Sequence, residues 1–100
     1  MARKAFKSGS VTSMFESIVG CKWSLHVLGA IRRGVRRPGA LERSAVGLSR
    51  KVLTERLKKM LRYGVIEKRS FPVVPLRVEY RLTPFGLRFV KILDAIDRLA

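Results

Sequence analysis

The 100-residue chain is poor in acid. Seven Asp and Glu stand against twenty-two Lys and Arg, a formal net charge of +15. No paired carboxylates present themselves for general acid–base work, and the imbalance points to a polyanionic partner. A single cysteine, Cys21, excludes an internal disulfide framework and a Cys-rich metal site. A single histidine, His26, sets aside an all-protein zinc centre. No metal and no cofactor are therefore expected. There is no run of eighteen apolar residues, so no transmembrane helix and no membrane partner are expected. The first fourteen residues lack the apolar stretch of a secretory leader, which suggests a cytoplasmic protein. No glycine loop suited to phosphate follows a strand, since Gly39 and Gly47 are isolated, and no nucleophile sits near the histidine. An enzyme is not expected. The eight aromatic residues fall mostly on core-like positions, which argues against stacking on single strands.

What remains is a chain of one-domain length with 47% hydrophobic residues, enough for one core. Its charge is concentrated. Residues 32–77 carry fourteen basic and three acidic residues, whereas residues 1–31 carry four and one and residues 78–100 four and three. A solvated face would explain a high charge but not its concentration, and phosphate neutralisation explains both.

Residues 1–9 read as a basic flexible tail, and residues 10–100 as one domain. Thr12 to Val19 is a short helix candidate that Gly20 ends. Lys22 to Arg33 reads as a helix with Trp23, Val27, Leu28 and Ile31 on its apolar side and Gly34 as its stop. Val35 to Arg37 could form a very short strand. Pro38 suits the first position of a short helix to Ser44, and Val46-Gly47-Leu48 reads as a turn. Ser49 is the expected N-cap of a helix from Arg50 to about Tyr63, with Gly64 just past its end. Leu53, Leu57, Met60 and Leu61 form its apolar stripe, and Lys51, Glu55, Lys58 and Arg62 its cationic outer face. Arg56 lies at the flank of the stripe. Val65 to Phe71 and Arg77 to Leu82 read as strands, joined by Pro72-Val73-Val74-Pro75-Leu76, a stiff loop with an oddly apolar tip. Thr83 and Pro84 then cap a helix that runs to the chain end, apolar on one wide side.

A helix, a turn, a basic helix and a β-hairpin in that order form a winged helix-turn-helix. The expected class is α+β, mainly α, with a two- to three-stranded wing. In this arrangement the second helix of the motif enters the major groove of double-stranded DNA. Arg50 and Lys51 could reach a guanine edge or a phosphate. Thr54 could meet a thymine methyl or a phosphate, and Glu55 a cytosine amino group. Glu55 could equally pair with Lys51 or Lys59. Ser49, Lys58, Lys59 and Arg62 would lie nearer phosphates. Arg77, with Arg69, would carry the wing to the adjacent backbone or minor groove. Arg37 and Arg36 could touch DNA, whereas Arg32 and Arg33 could serve DNA or only the helix dipole. His26 reads as an ordinary helix residue. Phe15 and Ile18 from the first helix, with Phe85, Phe89, Ile92, Leu93 and Ile96 from the last, are the expected homodimer surface. The alternative is that these residues all pack within one chain. A non-sequence-specific architectural or RNA-associated protein is the competing functional reading.

These residues also carry a family likeness. Lys22-Trp23, Arg37, Leu41, Gly47-Leu48-Ser49, Lys51, Leu53-Thr54 and Leu57 are followed by Tyr63-Gly64-Val65, Pro75, Arg77-Val78-Glu79-Tyr80, Leu82-Thr83 and Gly86. In order and spacing the chain resembles the HxlR-type transcriptional regulators, a winged-helix group related to MarR-like proteins, over about residues 10–99. The resemblance implies a homodimer that joins through its first and last helices and binds operator DNA. Three departures stand out. The cysteine that many members carry ahead of the first helix is Ser10 here, so their redox mechanism does not carry over. Cys21 takes a position that is usually glycine, beside Lys22, which could lower a thiol pKa. Pro38-Gly39-Ala40 replaces an aromatic, a polar and an acidic residue.

Overall fold

The computed structural model describes residues 8–99. Its order is α1 (Ser8–Val19), α2 (Ser24–Arg32), α3 (Pro38–Arg43), α4 (Arg50–Arg62), β1 (Ile66–Phe71), β2 (Arg77–Leu82) and α5 (Pro84–Asp97). The sequence placed a tail over residues 1–9. Residues 1–7 lie outside the described residues, and α1 already includes Ser8 and Gly9.

Local chemistry explains most boundaries. The Ser49 hydroxyl accepts from the Val52 amide at 3.1 Å, satisfying one of the free donors at the start of α4. Gly34 and Gly64 take positive φ just past α2 and α4, as expected. Thr83 caps α5 by accepting from the Gly86 amide at 2.9 Å, with Pro84 in the first helical position. Two expectations need correction. Helix α2 starts at Ser24 rather than Lys22, because Trp23 adopts a left-handed backbone with φ 75° and only its carbonyl enters the helix, bonding Val27 N at 2.9 Å. Val35 to Arg37 is not a strand. A single bond from Tyr80 N to Arg36 O at 2.8 Å is all that links it to β2, and Pro38, which has no amide hydrogen, already begins α3.

Among the described residues the sheet therefore has two strands, antiparallel, in register from Ile66↔Leu82 to Phe71↔Arg77. Alternation puts Ile66 and Tyr80 on the inner face and Glu67, Arg69, Arg77, Glu79 and Arg81 on the outer one. The core takes Ile18 from α1, Leu28 from α2, Leu41 from α3, Met60 from α4, and Val65 and Ile66 at the start of the hairpin. Burying each of these side chains contributes roughly 1.5–3 kcal/mol. Helix α5 is locked to the hairpin by close approach. A Cβ on Gly86 would stand 2.0 Å from the Val65 carbonyl oxygen, so no larger residue fits. Beside it the Thr83 hydroxyl donates to the Gly64 carbonyl at 2.5 Å, and the Thr83 amide bonds Val65 O at 3.1 Å.

Candidate nucleic-acid interface

Helix α4 spends its apolar side on the core and presents its charged side outward. Leu53, Leu57 and Met60 are buried, while Lys51, Thr54, Glu55, Lys58 and Arg62 are exposed. The turn from α3 to α4 and the Ser49 cap set the start of α4 at the surface, with Lys51, Thr54, Glu55 and Lys58 along one outward strip. Ser49 itself is exposed, but its hydroxyl is committed to the cap. Arg50 is held by Glu42 of α3, Nε to Oε1 at 3.1 Å, and remains largely in solvent. An exposed pair of this kind contributes about 0–1 kcal/mol and yields readily to a phosphate. Glu55 pairs with neither Lys51 nor Lys59. It lies 3.8 Å from the Arg56 guanidinium.

Not every cation of α4 faces outward. Arg56 donates from Nε to the Lys22 carbonyl at 2.9 Å. Lys59, expected near phosphates, instead turns toward the α1–α2 elbow, where its ammonium lies 3.4 Å from the Ser17 carbonyl and 2.9 Å from Cys21 Sγ. That ammonium holds the Cys21 thiol below its ordinary pKa of 9.0, against an opposing effect of burial, and Arg56 adds to the lowering. The neighbour expected from sequence to do this, Lys22, is instead over the Trp23 ring at 5.6 Å. Arg32 is likewise occupied. Its two terminal nitrogens donate to both Asp94 oxygens of α5, one at 2.7 Å, and this pairing holds the Asp94 carboxyl below its usual pKa. His26 Nε2 lies 2.9 Å from Ser44 Oγ, tying α2 to the end of α3.

The wing extends from the other side of α3. Arg77 lies over the Phe71 ring, 5.2 Å from guanidinium carbon to ring centre, and 4.0 Å from Glu79. The loop between the strands leaves Val74 100% exposed, with Val73 and Leu76 also exposed. Arg37 is exposed ahead of α3, and the structure brings it into one cleft with Arg77. Arg43 joins them there. Sequence reasoning missed it, because nothing in the local pattern shows that the wing folds back over α3.

The expected dimer surface divides in two. Ile18 and Phe89 are 0% and 4% exposed and belong to the core of the single chain, where Phe89 meets Phe15 edge-on at 6.3 Å. They are corrected accordingly, because both side chains are buried in the core of the single chain. Phe15, Phe85 and Leu93 are half-buried. Ile92 and Ile96 are 56% and 43% exposed and form one apolar edge of α5, with Leu99 exposed just past its end. Beside it a groove of about 290 Å³ runs between α1, α2 and α5, lined by Phe15, Val19, Leu25, Leu93 and Ile96 among others.

A model of the HxlR-like helix-turn-helix family matches residues 18–100. The chain belongs to that family. It is 40% identical over 78 residues to an uncharacterized HTH-type transcriptional regulator of Synechocystis, covering 78% of this chain and 58% of that protein. An Escherichia coli HTH-type regulator, YtfH, is 38% identical over 68 residues, covering 68% of this chain and 54% of its own length. The HxlR-like chain thus spans little more than half of these two curated relatives. Among solved structures, a MarR-family transcriptional regulator of Enterococcus faecalis superposes with a TM-score of 0.82 at 29% identity, covering 99% of this chain and 90% of that one. The winged helix-turn-helix read from the sequence is the fold of this HxlR-like protein. No helix among the described residues is long and apolar enough to cross a membrane.

Proposed function

We propose that this HxlR-like protein is a sequence-specific, double-stranded DNA-binding transcriptional regulator that acts in the cytoplasm as a homodimer. The observation that carries the reading is the outward strip of α4. Four exposed side chains, Lys51, Thr54, Glu55 and Lys58, project from one side of a helix whose opposite side is fixed in the core. That is the geometry of a helix laid into a major groove by its N-terminal half. Lys51 and Arg50 then approach guanine edges or phosphates, Thr54 a thymine methyl, Glu55 a cytosine amino group, and Lys58 and Arg62 the backbone. In this reading Arg77 of the wing meets the neighbouring backbone. The wing's exposed Val74 suits the minor groove, where apolar side chains wedge between base steps.

Dimerisation rests on the α5 edge of Ile92 and Ile96, with Leu99 just past its end, and on the groove beside it. A second copy laying the same edge across this groove would bury both. A homodimer presents two α4 helices, so its operator is a pseudo-palindrome with half-sites about one helical turn apart. Sedimentation of wild type and of the double variant Ile92→Glu, Ile96→Glu tests the assembly. A dimer that becomes a folded monomer supports it, and a wild type that stays monomeric at micromolar concentration refutes it. Competition between DNA and RNA duplexes tests the partner. Equal affinity for both would favour the general nucleic-acid binder that the high charge also allows.

A further inference from the structure

The cleft between α3 and the wing has a chemistry that neither the groove-reading helix nor the family likeness requires. It measures about 450 Å³ and is lined by three arginines, Arg37, Arg43 and Arg77, and by the small residues Pro38, Gly39 and Ala40. No carboxylate among the described residues lines it. Arg37 and Arg43 have no carboxylate partner among the described residues, and Arg77 has only Glu79 at 4.0 Å. The small residues make the space. A Cβ on Gly39 would stand 3.2 Å from Arg43 Nη1, so glycine lets that guanidinium lie back over the start of α3. Arg77 is fixed from the opposite wall by the Phe71 ring. Three arginines line one solvent-filled space, a concentration of positive charge that an anion would relieve. The anion that matches planar forks from two or more sides is a tetrahedral oxyanion.

We propose that this cleft is a phosphate-binding site, and that in the DNA complex it grips one backbone phosphate between α3 and the wing. The DNA part rests on the proposed function. The site itself does not, because a free phosphate or a small phosphorylated molecule offers the same chemistry. The grip would fix the wing relative to α4, so that the loop meets the backbone at one register rather than sliding along it. Arg37 comes from one wall, Arg77 from the other, and Arg43 closes the space from the next turn of α3.

The test has two arms. In the first, inorganic phosphate is titrated into the protein alone at constant ionic strength, and the arginine Nε–H signals are followed by NMR. The expected result is a saturable shift of Arg37, Arg43 and Arg77 together, lost in the double variant Arg43→Gln, Arg77→Gln. In the second, duplex affinity is measured against salt for wild type, Arg43→Gln, Arg77→Gln, the double variant, and Lys51→Ala as a variant outside the cleft. Arg43→Gln should weaken binding by about tenfold and lower the salt slope by about one per half-site. The double variant should lose less than the product of the single losses, because both side chains grip one phosphate. All these arginines are at least partly exposed, and thermal melts confirm that each variant folds. Arg43→Lys keeps the charge without the fork and should recover only part of the loss. Phosphate shifts in a protein that binds no duplex would uphold the site, assign it to a free phosphate-bearing molecule, and sink the DNA reading. A duplex affinity that falls in Lys51→Ala but not in Arg43→Gln, with no phosphate shift, would overturn the site and leave the DNA reading standing. Strictly multiplicative losses would overturn the single-phosphate grip.

Discussion

Two lysines of one helix should behave in opposite ways. Lys51 and Lys59 both belong to α4, and by charge alone they are equivalent. Their surroundings are not. Lys51 is exposed on the outward strip, whereas Lys59 is half-buried with its ammonium at 2.9 Å from Cys21 and 3.4 Å from the Ser17 carbonyl. The exposed cations of this side without a carboxylate partner among the described residues include Arg37, Arg43, Lys51, Lys58 and Arg62. If Lys51, Lys58 and Arg62 each neutralise one phosphate and the arginine cleft one more, a dimer makes about eight such contacts, and the logarithm of affinity falls with the logarithm of salt at a slope of about −7. Lys51→Ala should reduce the steepness by about 0.9 for each half-site. Lys59→Ala should leave the slope unchanged and instead lose about 1 kcal/mol of stability from its hydrogen bonds, a fall of about 4–8 °C in melting temperature. The assay is fluorescence anisotropy with a labelled duplex over a salt series, with a thermal melt of each variant. A Lys59→Ala slope reduced as much as that of Lys51→Ala would refute the assignment of Lys59 to the α1–α2 elbow.

Other consequences follow from particular contacts. Gly86→Ala forces a Cβ to 2.0 Å from the Val65 carbonyl, and relieving it must separate α5 from β1. The expected cost is about 3 kcal/mol, read as a melting temperature lower by ~12 °C or more, and an unchanged melt would contradict the close approach. The Asp94 carboxyl, held low by Arg32, contributes stability that is complete above its ordinary pKa of 3.8 and is lost as pH falls through the lowered native value. Asp94→Asn should remove that acid-side loss in a series of melts, and identical acid profiles would deny the pair any role. The Cys21 thiol, lowered by Lys59, should be alkylated by iodoacetamide with a pH midpoint below 9.0, and Lys59→Met should move the midpoint up. A midpoint that stays put would show that the lysine does not reach the sulfur.

Much of the architecture was legible because it is written locally. Ser49 and the Thr83-Pro84 pair mark helix starts by their own hydrogen bonding and ring geometry, and β2 alternates cleanly because one of its faces packs inward. The elements that escaped depend on partners distant in sequence. Trp23 reads as a helical apolar residue, yet it sits in a left-handed turn that breaks the helix before Ser24. Val35 to Arg37 has strand-like residues but only one bond to β2. The charges of α4 look alike in a list of residues. Only folding shows that Arg56 and Lys59 are tied to the elbow while Lys51 and Lys58 stay outward. The same holds for the apolar residues of α1 and α5. Helical spacing identifies the stripe, but the packing of the whole chain decides that Ile18 and Phe89 belong to the core and Ile92 and Ile96 to the surface.

The most direct test of the proposed function is a selection of bound duplexes from a random double-stranded pool at near-physiological salt. The account predicts enrichment of a pseudo-palindrome whose half-sites lie about one helical turn apart, with base preferences that relax when Lys51 or Thr54 is replaced by alanine. Tight, salt-sensitive retention with no enriched sequence would contradict it and leave a protein that binds nucleic acid by charge alone.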